Sequence, residues 1–201
     1  NSRWAEHHSL VRLSKRFSKF KVAIHAYLCG DGYINIRQKG FHYEMSFSFD
    51  NLFLAKRICK LFKKEFHVMP YITAIKSKIS SKVGLYVVRI NSKPVCYHLL
   101  SLGEYKSLTW KMPKYLSKTL LIEWIKCFFD CEGYVNSYKK QIQVKSINGM
   151  GLKKISDLLV SFGIINKIYG PYDNGRNHNS YYMLCIFNKN SIKLYNKLIS
   201  F

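Results

Sequence analysis

The sequence predicts an α+β protein that contains two copies of one αββαββα unit. An apolar run of helical length ends in a carboxylate and a glycine near residue 31, and a similar run ends the same way near residue 132. Each run is followed by Tyr and a β-branched residue, and then by the apolar and polar alternation that is typical of half-buried strands. Repetition of this whole pattern indicates an internal duplication with pseudo-twofold symmetry.

The first copy spans residues 17–103 and is preceded by a basic N-terminal arm, residues 1–16. Ser18 is a candidate cap for a helix that ends at Gly30. Asp50 or Asn51 is a candidate cap for a second helix at 52–66, which has opposed apolar and basic faces. The remaining elements predicted in this copy are strands at 33–38, 42–49, 68–76 and 84–90 and a helix at 92–102.

The second copy spans residues 117–201 and follows a predicted linker, residues 104–116. Its predicted elements are helices at 117–131 and 150–162, strands at 134–138, 141–146, 167–172 and 180–187, and a last helix from residue 190. Neither copy is predicted to be stable alone, because each would expose the apolar helix that carries its acid.

The charge of the chain indicates a polyanionic partner. Lys and Arg number 33 against 11 acids, which gives a net charge of +22. An anionic membrane surface is the alternative to nucleic acid, but its usual signature is one basic amphipathic helix. Here the basic residues are spread over every segment, which favours nucleic acid. The sequence has no apolar run of membrane-spanning length and no secretory signal, so we expect an intracellular protein, in a prokaryotic cytoplasm or an organelle.

The six cysteines do not indicate a zinc site, because none forms a CxxC pair. Cys127 and Cys131 are four residues apart on one helical face and could be two ligands. Small buried thiols in a reducing compartment are the interpretation we prefer.

The two repeated helices carry small residues at matching places. Ala26 and Gly30 are four apart in the first, as are Cys127 and Cys131 in the second. Small residues at this spacing form a narrow stripe on one helical face and allow close backbone approach. Packed as a parallel pair, the helices would end side by side and bring their terminal acids together.

Asp31 and Glu132 are placed where an acid is electrostatically unfavourable, since a helix C-terminus carries partial negative charge and free carbonyls. Each acid alone could be a polar turn residue before glycine. The pair in a basic protein instead predicts a divalent cation site, with the carbonyls of Gly30 and Cys131 as further ligands. Oxygen ligands suit Mg²⁺, with Mn²⁺ able to substitute. A cation in a nucleic-acid-binding protein points to phosphodiester hydrolysis.

The stretches at residues 24–32 and 125–133 resemble the two motifs of the LAGLIDADG homing endonucleases in their single-chain form. The resemblance implies two antiparallel four-stranded sheets that form a saddle on DNA. It also implies a monomeric, Mg²⁺-dependent enzyme that cuts both strands of a long, pseudo-asymmetric target and leaves 3′ overhangs. Such proteins are usually encoded by mobile introns or inteins.

Three positions depart from the family motif. Cys29 stands where the first Asp of the motif is often found, and Glu132 replaces the terminal Asp. Lys126 stands where Ala is typical. Because Glu is one methylene longer than Asp, the two halves are not expected to be equally efficient.

The resemblance assigns DNA reading to the polar faces of the strands and to one loop. Each such residue, taken singly, could equally be an ordinary solvated residue or contact a phosphate. Lys145 is in addition a candidate for assisting at the scissile phosphate, whereas His25 is expected in the core. The alternative function is an RNA maturase or another non-cleaving member of the family. The predicted DNA-binding residues are Asn35, Arg37, Gln38, Glu44, Ser46, Ser48, Lys76, Lys78, Lys82, Arg89, Asn136, Tyr138, Lys140, Gln141, Gln143, Lys145, Arg176, Asn177, His178 and Asn179.

Overall fold

The computed structural model describes residues 13–37, 42–76, 83–173, 175 and 179–200. The chain forms two compact units, Asn1–Glu104 and Tyr105–Phe201. Most of the predicted basic arm, residues 1–12, lies outside the described residues. None of the helices in the described part combines the length and the apolar character that a membrane crossing requires.

The first unit contains three helices and one antiparallel sheet among its described residues. The sheet has the strand order β1-β2-β4-β3. The elements are α1 (Lys19–Cys29), β1 (Gly32–Arg37), β2 (His42–Phe49), α2 (Leu52–Phe66), β3 (Tyr71–Lys76), β4 (Val83–Asn91) and α3 (Lys93–Leu102).

The second unit repeats this plan, and its antiparallel sheet has the equivalent order β5-β6-β8-β7. The predicted fold class, an internally duplicated αββαββα protein with two antiparallel four-stranded sheets, is therefore confirmed. The elements are α4 (Lys118–Glu132), β5 (Gly133–Asn136), β6 (Gln141–Ser146), α5 (Gly149–Ser161), β7 (Lys167–Tyr172), β8 (Tyr181–Ile186) and α6 (Lys189–Leu198).

Side-chain caps fix where several helices begin. The hydroxyl of Ser18 accepts a hydrogen bond from the Lys21 amide at 3.0 Å, so α1 begins where the sequence predicts. The side chain of Asn51, rather than that of Asp50, caps α2 by accepting from the Phe53 amide at 2.7 Å. Each cap satisfies a backbone donor that the first helical turn leaves unpaired.

Two strands differ from the prediction by two or more residues at one end. Strand β3 begins at Tyr71 rather than at residue 68, because His67 ends α2 in the left-handed conformation and Pro70 has no amide hydrogen to pair. Strand β5 ends at Asn136 rather than at residue 138. The Asn136 side chain accepts from the Lys139 amide at 2.9 Å and closes a turn instead.

The helices of the first unit cover one face of its sheet. On β2, Met45, Phe47 and Phe49 are buried, and the ring centre of Phe47 lies 5.8 Å from that of Phe62 in α2. We call the opposite face of this sheet the first outer face. It carries the residues that alternate with these on β2, together with the residues of the other strands that point to the same side. They are Tyr33, Asn35, Arg37, Glu44, Ser46, Ser48, Thr73 and Arg89.

Part of the segment predicted as a linker is packed into the second unit. Trp110 is 3% exposed, and its ring centre lies 4.7 Å from that of Phe128 in α4. Its carbonyl accepts a hydrogen bond from the Asn148 side chain at 2.8 Å. The indole also lies so close to Gly151 that a Cβ there would be 2.5 Å from the ring. This packing explains a glycine within α5.

Candidate catalytic and nucleic-acid-binding residues

Asp31 lies in the turn that joins α1 to β1. Residues 21–29 of α1 are all buried, and the helix closes with the Gly30 amide donating to the Ala26 carbonyl at 3.2 Å. Asp31 follows directly and is exposed. The last turn of α1 carries no basic residue. The helix end and the carboxylate therefore both contribute negative electrostatic potential at this turn.

The glycine after Asp31 is required by a close approach of the strand to the core. A Cβ on Gly32 would lie 2.7 Å from the Phe47 ring and 2.9 Å from the Cα of Leu28. Both distances are shorter than packed atoms allow, and one of the neighbours is backbone. The acid-glycine pair of the first motif therefore places the carboxylate at a tightly packed helix-strand junction.

Glu132 occupies the equivalent junction in the second unit. It is the last residue of α4, is partly exposed, and is followed by Gly133, which begins β5. The Gly133 amide donates to the Phe129 carbonyl, and the last turn again has no basic residue. Each unit thus ends its apolar helix with a carboxylate at the start of a sheet.

The donor set fits a hard divalent cation. Asp31 and Glu132 offer carboxylate oxygens, and Gly30 and Cys131 offer carbonyl oxygens from helix ends, which are the ligands that Mg²⁺, Mn²⁺ and Ca²⁺ accept. Within the ranges that the structure describes, no three His, Cys, Asp or Glu side chains gather at one metal position. The metal-binding role of these four residues stays a prediction.

The predicted readers on β1, β2 and β4 fall on the first outer face. Asn35 pairs with Glu44 across β1 and β2, and Ser46 pairs with Arg89 across β2 and β4, so their side chains share one side of the sheet. Arg37 and Ser48 are exposed on this side, whereas Ser46 is only 3% exposed. Lys76 is exposed at the end of β3.

Arg89 has two partners on this face. Its Nε lies 3.8 Å from an oxygen of Glu44, and its Nη1 donates a hydrogen bond of 3.2 Å to the hydroxyl of Thr73. The sequence did not single out Thr73. Its place opposite Val87 on the neighbouring strand depends on strand register, which one sequence does not reveal.

The corresponding face of the second sheet, the second outer face, carries Asn136, Gln141, Gln143, Lys145 and the tyrosines Tyr134 and Tyr181. Three of these residues are joined in a chain of hydrogen bonds. The Tyr134 hydroxyl donates to Gln143, whose amide nitrogen donates to Gln141 at 2.6 Å. Gln143 is only 2% exposed, so Gln141 is the more accessible of the two glutamines.

Lys145 is flanked by two aromatic rings. Its Nζ lies 5.8 Å from the centre of the Tyr134 ring and 5.5 Å from that of Tyr181, distances at which a cation is attracted to a ring face. Tyr134 is only two residues beyond Glu132. Neither tyrosine was predicted as a functional residue, although the place of each in a strand with polar neighbours is a usable signal.

The remaining predicted readers lie in turns or outside the described residues. Tyr138 is 93% exposed in the turn between β5 and β6, where Lys140 is also exposed, and Asn179 is exposed before β8. Six predicted readers lie outside the described residues, namely Gln38, Lys78, Lys82, Arg176, Asn177 and His178.

The two outer faces differ at equivalent positions. Phe47 pairs with Gly32 as Val144 pairs with Gly133, so the next residues, Ser48 and Lys145, are equivalent. By the same pairing, Gln141 occupies the place of Glu44. Cys185 occupies the place of Arg89, because Val88 pairs with Phe47 as Leu184 pairs with Val144. The duplication has kept the fold and changed the chemistry of the faces.

His25 is fully buried in α1. Burial lowers its pKa to about 3, so the ring is neutral at physiological pH. Its Nδ1 lies 3.5 Å from the sulfur of Cys29, and a Cβ on Gly103 would be 2.5 Å from its Nε2. Burial also raises the pKa of Cys96 to about 11, which keeps this thiol protonated.

Comparison with known proteins agrees with these features. Residues 119–200 match the LAGLIDADG-like domain family. A probable translation initiation factor IF-2 of Methanocaldococcus jannaschii is 32% identical over 125 residues, which cover 58% of this chain and 11% of that protein. The chain therefore spans about a tenth of the length of this relative.

Two solved structures share the fold over nearly the whole chain. One is a variant of I-DmoI in complex with its target DNA, nicked in the coding strand, in the presence of Mn. It is 22% identical, and the match covers 91% of this chain and 96% of that one with a TM-score of 0.66. The other is the homing endonuclease I-WcaI bound to its DNA recognition sequence, at 16% identity, 99% and 87% coverage and a TM-score of 0.64.

Residues 119–200 thus match the LAGLIDADG-like domain family, and the whole chain has the fold seen in the homing endonucleases I-DmoI and I-WcaI. The resemblance predicted from the two motifs is confirmed.

Proposed function

We propose that this protein is a site-specific endonuclease that hydrolyses one phosphodiester bond in each strand of a DNA duplex with a divalent cation. One observation carries the proposal: the two repeats each place a carboxylate, Asp31 or Glu132, at the junction between an apolar helix and the first strand of a sheet. A structural turn residue need not be an acid in both repeats. Two residues that bind one cation together, one from each repeat, are both expected to be acids.

The residues present fit the cation, and the chain supplies what surrounds it. A bound Mg²⁺ would act as a Lewis acid on the phosphate and lower the pKa of a bound water. Asp31 and Glu132 would hold it through carboxylate oxygens, with the Gly30 and Cys131 carbonyls as further ligands. We favour Mg²⁺ as the physiological ion, with Mn²⁺ able to replace it, because all these donors are hard oxygens.

The outer faces are the proposed DNA-binding surfaces. Asp31 lies two residues before Tyr33 on the first outer face, and Glu132 lies two residues before Tyr134 on the second. The side chains on both faces offer the donors and acceptors that read base edges in the major groove. Because the two faces differ at equivalent positions, we expect a long target that is only partly symmetric.

The charge of the chain supports a single-chain DNA-binding protein. With 33 basic residues and 11 acids, it has many more cations than the outer faces use, and the surplus suits the phosphate backbone.

Each repeat supplies its own carboxylate, so the proposed enzyme needs no second copy and acts as a monomer. We further propose that cutting leaves 3′ overhangs.

The test is cleavage of a plasmid library that carries randomised duplex inserts, incubated with the purified chain and Mg²⁺. Sequencing of the cut ends should reveal one consensus with 3′ overhangs, and EDTA should abolish cutting. The matched control is Asp157→Asn, which removes an exposed acid of α5 and should leave cutting unchanged. Absence of cutting together with tight binding of structured intron RNA would favour the maturase and contradict the nuclease.

A further inference from the structure

We propose that Arg89 reads a guanine in the major groove and that Glu44 and Thr73 hold its guanidinium in the orientation this contact needs. The inference rests on the proposed function, because it requires that the first outer face binds DNA. It names one base-reading residue and its two positioning residues.

The strand register places these three side chains together. Arg89 on β4 pairs with Ser46 on β2, so Glu44 is the diagonal neighbour two residues along the same face. On its other side Arg89 pairs with Tyr71 on β3, which makes Thr73 the diagonal neighbour there. The arginine therefore lies between an acid and a hydroxyl that belong to different strands.

The two contacts act on different nitrogens of one planar group. Nε faces Glu44 at 3.8 Å, and Nη1 donates to Thr73 at 3.2 Å. Two contacts at separate atoms fix both the position and the plane of a guanidinium, which otherwise rotates about several bonds. Arg has five hydrogen-bond donors, and these contacts leave three of them on Nη1 and Nη2.

A fixed guanidinium matches guanine better than any other base. Guanine presents two acceptors, O6 and N7, at the spacing of two arginine donors, whereas adenine presents a donor at one of these places. Fixing the group in advance lowers the entropy cost of making both bonds at once. The Arg89 side chain remains 30% exposed, so it is accessible to a base edge.

Glu44 argues against a simple phosphate contact by Arg89. A carboxylate on a DNA-binding face repels phosphates and partly offsets the charge of the arginine beside it. The chain has 33 Lys and Arg residues for backbone contacts and only 11 acids. An acid retained at this position, with only 14% of its side chain exposed, is better explained as a support for the arginine.

The three equivalent positions of the second unit, all among the described residues, carry other side chains. Gln141 occupies the place of Glu44, Cys185 that of Arg89, and Tyr169 that of Thr73. The proposed guanine contact therefore belongs to one half of the target only, and it gives the target part of its asymmetry.

The experiment repeats the library selection with Arg89→Lys and Glu44→Gln beside the unaltered chain. Arg89→Lys keeps the charge and removes the two-donor fork. We expect it to lower the preference for guanine at one position by about 10- to 100-fold and to leave the other positions unchanged. Glu44→Gln should weaken the same guanine preference less. The matched control, Lys60→Ala, removes a charge from the exposed side of α2 and should give the unaltered consensus.

Three outcomes would overturn the proposal. Arg89→Lys could leave every base preference intact, or it could weaken binding to all sequences alike, which would make Arg89 a phosphate ligand. Glu44→Gln could alone remove a cytosine preference, which would make Glu44 the reader. If the unaltered chain cuts nothing, the proposed function fails, and selection by binding in EDTA still reports the base preference of Arg89. Thermal unfolding confirms that each variant is folded.

Discussion

Lys145 lies with its ammonium 5.8 Å from the centre of the Tyr134 ring, and the chain reaches that ring two residues after Glu132. The centre of the Tyr181 ring lies 5.5 Å from the same ammonium. Two rings restrict a side chain that otherwise has four flexible bonds. A positive charge is thereby held on the outer face of the second unit, close in sequence to the acid of the second motif.

Lys145→Met should slow cutting on the order of 100-fold, the usual cost of removing one group that stabilises developing charge. Ser48 occupies the equivalent place in the first unit, so the effect should fall on one strand and nicked plasmid should accumulate. Rates are measured on supercoiled plasmid at saturating protein. Lys193→Met, an exposed change on α6, is the control. Weaker binding with an unchanged rate at saturation would instead make Lys145 a DNA-binding residue.

Lys21 and Glu65 form a buried ion pair that ties α1 to α2. The Lys21 side chain is 0% exposed and lies 3.2 Å from Glu65, and its ammonium also donates to the carbonyls of Ser14 and Arg16. Glu65→Gln should lower the free energy of unfolding by about 3 kcal/mol, because it leaves the ammonium buried without its counter-charge. The measurement is urea unfolding at pH 7.

The exposed ion pair between Lys153 and Asp157 provides the comparison for this prediction. Both side chains are more than half exposed. Asp157→Asn should change the free energy of unfolding by less than about 1 kcal/mol, because solvent screens such pairs. Equal effects of the two substitutions would show that burial does not strengthen the Lys21 pair.

His25 should make stability depend on pH. Its pKa is about 3 in the folded protein and about 6.5 in the unfolded chain, so between these values only the unfolded chain takes up the proton. The free energy of unfolding therefore falls as pH drops below 6.5, and at pH 5 this single group accounts for about 2 kcal/mol. His25→Gln should remove that part of the loss between pH 7 and pH 5.

The pH dependence is measured by urea unfolding at both pH values. His42→Gln, at an exposed position of β2, is the control and should keep the dependence of the unaltered chain. If His25→Gln loses as much stability as the unaltered chain between pH 7 and pH 5, the imidazole is not the buried neutral group described above.

Affinity for DNA should fall steeply as salt rises. If the basic surface neutralises 6–10 phosphates, affinity should drop by about 10³–10⁵ between 50 and 200 mM salt, because binding releases condensed counterions. The measurement is a titration of a duplex that the enzyme cuts, in EDTA, at several salt concentrations. An affinity that hardly changes with salt would remove the argument from net charge.

Local signals in the sequence predicted much of the fold. The bounds of α2 and β2 were predicted to the residue. The sequence of α2 has a capping residue before a segment with opposed apolar and basic faces, and that of β2 alternates strictly between apolar and polar residues. The start of β3 was predicted wrongly, because the left-handed His67 and the missing amide of Pro70 cost that strand its first residues. The proline was visible in the sequence, whereas the left-handed conformation of His67 does not follow from its residue type.

Contacts across strands could not be predicted in the same way. The grouping of Glu44, Arg89 and Thr73 depends on the register of three strands, of which β3 and β4 are joined by residues outside the described ranges. The same holds for Gln143, which is buried and accepts a hydrogen bond from the Tyr134 hydroxyl on the neighbouring strand. Alternation identified the face correctly, and the partners within it needed the structure.

Asp31 and Glu132 are each proposed to perform chemistry rather than hold the fold. The most direct measurement compares Asp31→Asn, Glu132→Gln and the control Asp157→Asn on supercoiled plasmid that carries the selected site, with Mg²⁺ present. Both motif variants should bind this DNA with unaltered affinity, remain folded and fail to produce linear plasmid, while the control linearises it at the unaltered rate. Linear product from either motif variant at the rate of the unaltered chain, or loss of folding in both, would contradict the claim.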